Sequence, residues 1–431
     1  MIKDLKITAL DYMYTGPSVC TERLQLQEAV KLNRNSTTSE IKQLLVDVSI
    51  IIRGDARTGI QRVVRAILSE LQKNPPANYK VCPVFASDTH GYHYVPDGFS
   101  LGVYDANIFL APSRPVRVTN EDVFLGLDLA AALLPKHEKQ LSRWKLKGMK
   151  IHVMVYDLLP VLRPEWFHGR TTRNFYRWLR TIVVLADSAI CISHAVKSEF
   201  QRWVESKFEI PTSLIPVQII PMGCDLEASM PSLGMPSDAG QLLAKFKLRP
   251  TALMVGTLEP RKGHAQVLDA FEQIWKKNLG VNLLIVGKAG WKSSTLQSRI
   301  INHPLIGQNL FWQNDVSDEF LGKIYDASFG LVFASEGEGF GLPLIEAMQY
   351  GKPVLARDLP VFREVGGMDI SYFDDLDENL SEQSVSIEEW LLKNNAEKKS
   401  STTKLISWRD SAILLQTYIL GFFNEKISLK D

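Results

Sequence analysis

The alternation of short β-branched runs with longer helical patterns is the feature that most constrains the fold of this chain. In its first half, apolar runs rich in Val, Ile and Leu predict strands at Leu44–Ile52, Tyr79–Phe85, Val123–Leu127, Ile151–Tyr156, Ser188–Ile192 and Val217–Ile220. Between several of them lie helical patterns at Ile60–Lys73, Lys136–Lys147, Arg170–Leu185 and Ala195–Ser206. This order is typical of parallel βα units, so we expect an α/β fold with a doubly wound sheet.

A second series of the same kind begins after residues 227–240, which are rich in Pro, Ser and Gly and predict a linker. Its predicted strands are Ala252–Val255, Asn282–Val286, Leu310–Trp312, Gly330–Phe333, Val354–Ala356 and Ile370–Phe373, and its predicted helices are His264–Lys276, Glu319–Asp326 and Leu344–Tyr350. A chain of 431 residues exceeds one ordinary domain. We therefore expect an N-terminal extension over 1–40, a first domain over 41–226 and a second over 241–404. Two such halves would face a cleft, with ligands beyond the carboxyl ends of the strands.

Composition narrows the class of protein further. The net charge of +1 argues against a protein-wide nucleic-acid surface, so we expect no nucleic-acid partner. The four cysteines are far apart and lack metal-ligand spacing, which indicates buried apolar residues of a reducing compartment. The first residues, 1–6, carry no apolar signal core, and no apolar run approaches the length of a membrane span. These features predict a cytoplasmic protein.

The segment from Phe329 to Gly351 carries the strongest functional signal. Its order is an apolar strand, a turn that contains Gly339, Phe340, Gly341 and Leu342, and then a helix. Pro343 suits the first turn of that helix, and the free N–H groups of such a turn can bind an anion. Glu338 and Glu346 bracket this anion site, and a carboxylate there accepts hydrogen bonds from hydroxyl groups. A phosphate and a polyol in one pocket indicate a nucleotide sugar.

This layout resembles the E-x7-E motif of the GT-B glycosyltransferases of the retaining family 4, and the resemblance extends from about Leu44 to about Ile419. It implies two Rossmann-like domains that face a cleft. It also implies that Glu338 holds hydroxyls of the donor sugar and that Glu346 binds the ribose. The glycine turn between them would contact the donor.

The loop from Gly256 to Gly263 delivers two cations, Arg261 and Lys262, beyond a predicted strand. Two fixed cations are a direct way to stabilise a nucleoside diphosphate leaving group. The family resemblance assigns the same role to this pair and places Thr257 at the donor. The alternative is a basic loop that contacts solvent or an acidic neighbour.

Two segments of the first half resemble further parts of the family's site. Residues 57–62, with Gly59, are similar to the glycine loop that approaches the donor diphosphate, although a plain tight turn is the alternative. The segment 153–160 resembles one that usually ends in His-Asp, which implies a catalytic role for Asp157. Tyr156 replaces the histidine, so it is either a donor-sugar contact or simply packed. His194 is another residue that could line the cleft.

A metal-dependent GT-A enzyme would need a D-x-D pair, and Asp375-Leu376-Asp377 is the compact candidate. It lies in the acidic run 374–378, which favours a solvated surface loop. We expect no metal site and no cofactor besides the nucleotide-sugar co-substrate.

The predicted helix after residue 169 carries a row of arginines at spacings of three and four, which places them on one face: Arg170, Arg173, Arg177 and Arg180. Trp166 and other aromatic residues lie beside them. A basic and aromatic face would suit an anionic lipid surface or a lipid-pyrophosphate acceptor. A solvated cationic face whose neighbours bury the aromatics explains the pattern equally well.

The resemblance is to bacterial enzymes that assemble O-antigen or capsule chains on undecaprenyl carriers, and it rests on residues 58–65 and 156–160. It implies a retaining, metal-independent hexosyltransferase, with GDP-mannose as the first donor to test. The acceptor would be a lipid-linked or surface-polysaccharide glycan at the inner face of the membrane. Residues 405–425, around Trp408, resemble the C-terminal helix that crosses back to the first domain. Two alternatives remain open: a related sugar-nucleotide epimerase, and a non-enzymatic sugar-binding or scaffold protein.

Overall fold

The computed structural model describes residues 18–33, 41–96, 113–374, 380–393 and 405–421. These residues form two compact units, each with its own parallel sheet. The first unit ends at Pro221 and takes up the chain again from Arg409, and the second runs from Met222 to Trp408. The prediction of two wound α/β domains is confirmed.

The first unit is built on a seven-stranded sheet with the order β3-β2-β1-β4-β5-β6-β7. The strands are β1 (Lys42–Asp47), β2 (Tyr79–Phe85), β3 (His93–Tyr94), β4 (Val123–Gly126), β5 (Lys150–Val155), β6 (Ser188–Cys191) and β7 (Val217–Ile219). All neighbours pair in parallel except β3, which runs antiparallel to β2. The winding reverses between β1 and β4, and the loops at such a reversal are where ligands bind in open α/β sheets.

Helices cover this sheet, so its central strands are largely buried. They are α1 (Ser18–Leu32), α2 (Gly59–Lys73), α3 (Glu138–Leu146), α4 (Leu159–Leu162), α5 (Gly169–Leu185) and α6 (His194–Phe208). Every residue of β4 and β6 is buried. Thr58 starts α2 with a capping box. The Thr58 hydroxyl accepts a hydrogen bond from the Gln61 N–H, and the Gln61 side chain accepts one from the Thr58 N–H.

The helix α1 lies within the residues predicted as an extension, and it belongs to the first unit. Its Arg23 is 2% exposed and donates hydrogen bonds to the carbonyl oxygens of Val183 (2.7 Å) and Ala186 (2.9 Å). These carbonyls end α5, where a cation complements the helix dipole. The wound pattern could not reveal this helix, because its partner lies far along the chain.

The second unit is built on a six-stranded parallel sheet with the order β10-β9-β8-β11-β12-β13. The strands are β8 (Thr251–Val255), β9 (Asn282–Val286), β10 (Leu310–Gln313), β11 (Gly330–Phe333), β12 (Val354–Arg357) and β13 (Ser371–Phe373). The helices are α7 (Ala239–Leu248), α8 (His264–Lys276), α9 (Ser294–Ile301), α10 (Asp318–Ala327), α11 (Leu342–Gln349), α12 (Pro360–Gly366) and α13 (Leu380–Lys393). Its winding reverses between β8 and β11.

The boundary between the units differs from the predicted one. The first unit ends at Pro221 rather than at residue 226, and the predicted linker is bonded to the second unit. The Ser232 N–H donates to the Asp318 carboxylate at 2.8 Å, and the Gly234 N–H donates to Glu319 at 2.7 Å. Two backbone groups of the predicted linker are thus paired with the acidic first turn of α10, which sequence alone could not show.

The last described helix, α14 (Trp408–Ile419), begins where the chain re-enters the first unit. The Ser411 hydroxyl donates to the Pro221 carbonyl oxygen at 2.7 Å. The predicted return of the C-terminal helix to the first domain is therefore confirmed. Of the helices described, α14 included, none has the length and apolar character needed to span a membrane.

Candidate active site

The predicted site residues of the second unit meet at the reversal between β8 and β11. These two strands are parallel neighbours, with Ala252 opposite Gly330 and Leu253 opposite Leu331. The loop after β8 carries Arg261 and Lys262, and the loop after β11 carries Glu338. Because the carboxyl ends of both strands lie at one edge of the sheet, residues far apart in sequence share a single site.

Gly263 allows the two loops to lie against each other. Its φ of 70° is in the left-handed region, and a Cβ there would lie 2.4 Å from the Ala334 carbonyl oxygen. The Glu336 N–H also donates to the Arg261 carbonyl oxygen at 2.7 Å. The turn with the two cations is therefore fixed against the end of β11 by its backbone.

The two cations and Glu338 form an ion-paired network. Glu338 accepts a hydrogen bond from the Lys262 ammonium through one oxygen, and the Arg261 Nη1 lies 3.3 Å from the other. Arg261 also donates to Glu259 at 2.9 Å and to the Gly337 carbonyl oxygen at 2.9 Å. The alternative of a basic loop against an acidic neighbour thus describes the observed contacts, but that neighbour is the motif carboxylate itself.

The network sets the protonation of its carboxylates. Burial alone would raise the pKa of Glu338, but the charges of Lys262 and Arg261 outweigh burial and lower it to about 2. Burial lowers the pKa of Lys262, and the nearby Glu338 carboxylate partly offsets this. The pKa of Glu259 is raised, chiefly by burial. Glu338 is therefore a carboxylate near neutral pH, and in this form both of its oxygens act only as hydrogen-bond acceptors.

The turn between the two motif carboxylates starts α11. Gly341 has a φ of 100°, and a Cβ there would lie 3.1 Å from a ring carbon of Phe333. Pro343 occupies the first turn of the helix, as expected from its missing N–H. Phe340 is 8% exposed. Thr257, in the loop after β8, and Leu342 are half-buried.

Glu346 lies deeper than its predicted ribose contact suggested, with 2% exposure. Its Oε2 accepts a hydrogen bond of 2.9 Å from the Tyr325 hydroxyl, and the Tyr325 ring stacks on Tyr350 with centroids 5.2 Å apart. Sequence analysis missed Tyr325, because it lies on α10 among apolar residues and carries no motif. Its role in orienting Glu346 depends on the packing of two helices.

Replacing Tyr325 with Phe should weaken donor binding and leave the fold intact. The change removes one hydrogen bond to a carboxylate, about 1.5–3 kcal/mol. We expect the affinity for the nucleotide to fall by about tenfold or more, measured by calorimetry. Tyr350→Phe keeps the stacking and is the matched control. Equal affinity in wild type and Tyr325→Phe would show that the orientation of Glu346 does not matter.

Three of the predicted donor-binding and catalytic residues lie in the first unit. Gly59 is at the exposed start of α2. Tyr156 is 3% exposed and donates its hydroxyl hydrogen to the Leu127 carbonyl oxygen at 2.6 Å, which favours the packed alternative over a donor-sugar contact. Asp157 accepts from the Leu159 N–H at 3.1 Å at the start of α4. Burial, and then the charge of Asp157, raises the pKa of Glu199 to about 6. Glu199 lies on α6.

The predicted basic and aromatic face of α5 divides into separate parts. Arg180 is ion-paired with Glu22 at 2.5 Å and with Glu138 at 3.3 Å, so it does not belong to a docking face. Trp166 precedes the helix and has the Arg163 guanidinium 5.4 Å from its ring. Phe175 and Trp178 are buried, as the alternative of a solvated cationic face requires. The remaining arginines line a cavity, as shown below: Arg170, Arg173 and Arg177.

The predicted metal candidate Asp375-Leu376-Asp377 lies outside the described residues. Among those described, no three His, Cys, Asp or Glu side chains are grouped so as to hold a metal ion. The expected lack of a metal requirement stays a prediction.

Comparisons with known proteins place this architecture in a known class. Sucrose-phosphate synthase from Thermosynechococcus elongatus has a TM-score of 0.59 at 18% identity, with 89% of this chain and all of that chain covered. WaaG, a glycosyltransferase involved in lipopolysaccharide biosynthesis, has a TM-score of 0.53 at 14% identity, with 86% of this chain and 94% of that chain covered. The chain therefore has the GT-B fold.

Residues 241–400 match the family Glycosyl transferases group 1. The network around Glu338 lies within the matched residues. The sequence is also 40% identical over 401 residues to the serotype-specific mannosyltransferase WbdA of Escherichia coli. That match covers 91% of this chain but 48% of the relative, so the chain spans about half of that protein's length.

Proposed function

We propose that this chain is a retaining, metal-independent mannosyltransferase that uses GDP-mannose and elongates a glycan of a lipid-linked or surface polysaccharide. The network of Glu259, Arg261, Lys262 and Glu338 is the observation that carries the proposal. The match to WbdA supports mannose as the sugar. We further propose that the acceptor is carried by undecaprenyl pyrophosphate at the cytoplasmic face of the membrane.

Each charged group of the network has a role in this proposal. The donor diphosphate binds Arg261 and Lys262, which then stabilise the charge that develops as the bond between phosphate and sugar breaks. Once the diphosphate binds both cations, Glu338 accepts hydrogen bonds from hydroxyls of the sugar instead. Glu346 accepts a hydrogen bond from the ribose. A new bond forms from the sugar carbon to the acceptor oxygen, and the acceptor proton passes to the departing phosphate oxygen. We also propose that Asp157, in the first unit, is a catalytic residue, as the family resemblance implies.

A panel of nucleotide sugars tests the donor. We expect GDP-mannose to raise the melting temperature more than UDP-, ADP- or dTDP-sugars at the same concentration, because the ligand with the lowest Kd stabilises the native state most. A ligand at 100 times its Kd contributes about 2.7 kcal/mol. The measurement is a thermal-shift assay without divalent cations. A larger shift with another base would contradict GDP-mannose as the donor.

Chelation tests the metal independence. Because Arg261 and Lys262 supply the positive charge at the donor site, we expect the transfer rate in excess EDTA to equal that in buffer. The rate is followed by release of the nucleoside diphosphate. Activity that chelation abolishes and manganese restores would overturn this part of the proposal.

A further inference from the structure

A cavity of about 590 Å³ opens in the first unit at the reversal between β1 and β4. Its lining comes from the loops after β1, β2 and β4 and from α5. The lining residues are Ile50, Arg53, Asp88, Ala132, Leu133, Lys136, Arg170, Arg173, Asn174 and Arg177. It occupies the position in its own sheet that the network around Glu338 occupies in the sheet of the second unit. This edge of an open α/β sheet is where ligands bind.

The lining of the cavity is strongly cationic, with five basic side chains and one carboxylate. Asp88 is that carboxylate, and it pairs with Lys136 at 2.5 Å and with Arg53 at 3.7 Å. The hydrogen bond from Lys136 lowers the pKa of Asp88, so this group stays anionic. Basic side chains therefore outnumber carboxylates in the lining by five to one. The wall as a whole therefore attracts anions.

The positions of these arginines disfavour the helix itself. Arg170 lies in the first turn of α5 and Arg173 lies one turn further on, near the positive end of the helix dipole, and the first turn has no acidic residue. A cation near a helix N-terminus lacks the stabilisation of about 0.3–1 kcal/mol that an anion gains there. Arg177 continues the same face. The arrangement does not serve helix stability, whereas an anion in the cavity would interact favourably with the arginines and the dipole together.

A buried carboxylate holds the loop after β1 in place. Asp128 is 3% exposed and accepts from the N–H groups of Ile50 (2.8 Å) and Ile51 (2.7 Å). Arg53, in the same loop, donates to the Ala86 carbonyl oxygen at 3.2 Å. The loop is fixed before any ligand arrives, which lowers the entropy cost of binding.

We propose that this cavity binds a phosphate ester or diphosphate group. Guanidinium groups match phosphate oxygens in a bidentate geometry, and three of them with two further cations can neutralise a diphosphate. The volume lies in the range of small-molecule sites. The source of the group is the diphosphate that carries the acceptor glycan, an assignment that rests on the proposed transferase function. An anionic lipid headgroup presents the same chemistry and is distinguished below.

The test uses inorganic pyrophosphate and the full chain in the Lys262→Met background, which weakens the diphosphate site of the second unit. In physiological salt, calorimetry should find one remaining pyrophosphate site. Adding Arg170→Gln, Arg173→Gln and Arg177→Gln should weaken it at least tenfold. The matched control removes the same charge from exposed positions outside the cavity, with Arg143→Gln, Lys147→Gln and Arg202→Gln, and should bind as tightly as the background.

Other outcomes overturn the proposal. Unchanged pyrophosphate affinity after the three cavity substitutions would exclude the site. An equal loss of affinity in the control would show that net charge, and not the cavity, determines binding. Sedimentation with phosphatidylglycerol and phosphatidylcholine vesicles separates the sources. If the cavity substitutions abolish binding to anionic vesicles but not to pyrophosphate, the surface docks on lipid instead. Donor-induced thermal shifts, measured without the Lys262→Met change, report on the transferase proposal separately.

Discussion

Glu338→Gln should lower the rate of sugar transfer by about 100-fold or more while the chain still folds. Glutamine keeps the shape of the side chain but loses the carboxylate that we propose accepts hydrogen bonds from sugar hydroxyls. Each hydrogen bond to a charged group contributes about 1.5–3 kcal/mol, so the loss of two accounts for this factor. The initial rate of glycan formation, at saturating donor, is the measurement.

The substitution also affects stability, because Glu338 is the partner of a largely buried Lys262. Removal of one member of a buried ion pair costs about 3–5 kcal/mol. The double variant Glu338→Gln/Lys262→Met leaves no unpaired ammonium, so we expect it to recover much of the stability but none of the activity. Urea unfolding and transfer assays on both variants separate the two effects. Wild-type activity in Glu338→Gln would favour the binding or scaffold alternative.

Lys262→Met should reduce kcat by about 100- to 1,000-fold, with a smaller change in KM. In the proposed mechanism the ammonium stabilises charge that develops on the departing diphosphate, and the loss of one preorganised electrostatic contact has an effect of this size. Steady-state kinetics at varied donor concentration give both constants. Lys247→Met removes an exposed cation from the same unit and should behave as wild type. A change confined to KM would mean that Lys262 only binds the donor.

The same variant should alter the acid stability of the second unit. The lowered pKa of Glu338 contributes stability that is present above its unfolded value of 4.5 and is lost as the pH falls towards about 2. Without Lys262 the pKa of Glu338 rises, so less stability remains to be lost across that window. Urea unfolding at a series of pH values measures this dependence.

The parallel strands of both sheets could be predicted from the sequence because buried parallel strands have a simple pattern, whereas the short antiparallel β3 was not predicted. β9 (Asn282–Val286) and β11 (Gly330–Phe333) have the predicted bounds. β1 was predicted to continue to Ile52 but ends at Asp47, whose carboxylate accepts from the Ser49 N–H at 2.9 Å and turns the chain. A local polar contact of this kind overrides the apolar run that follows.

The candidate site could be predicted in its members but not in their pairing. The sequence assigned Glu338 to the sugar and Arg261 and Lys262 to the diphosphate, as separate groups. The structure joins them, because β8 and β11 are neighbours in the sheet. Tyr325 was not predicted either, because its contact with Glu346 depends on the packing of two helices.

The first unit was less predictable, because its informative contacts come from several loops. The arginine spacing on α5 was visible in the sequence, but the pairing of Arg180 with Glu22 and Glu138 was not. Neither was the approach of Arg53 and Lys136 to the remaining arginines. The hydroxyl of Tyr156 finds its acceptor on the loop after β4, which depends on strand order rather than on a motif.

The most direct test is to incubate the purified chain with GDP-mannose and a mannose-terminated, diphosphate-linked acceptor, and to analyse the products by mass spectrometry. We predict a glycan extended by one mannose together with free GDP, and neither product with Glu338→Gln. If GDP-mannose alone is converted to an epimer, or if no nucleotide sugar of the panel yields an extended glycan, the assignment as a glycosyltransferase is contradicted.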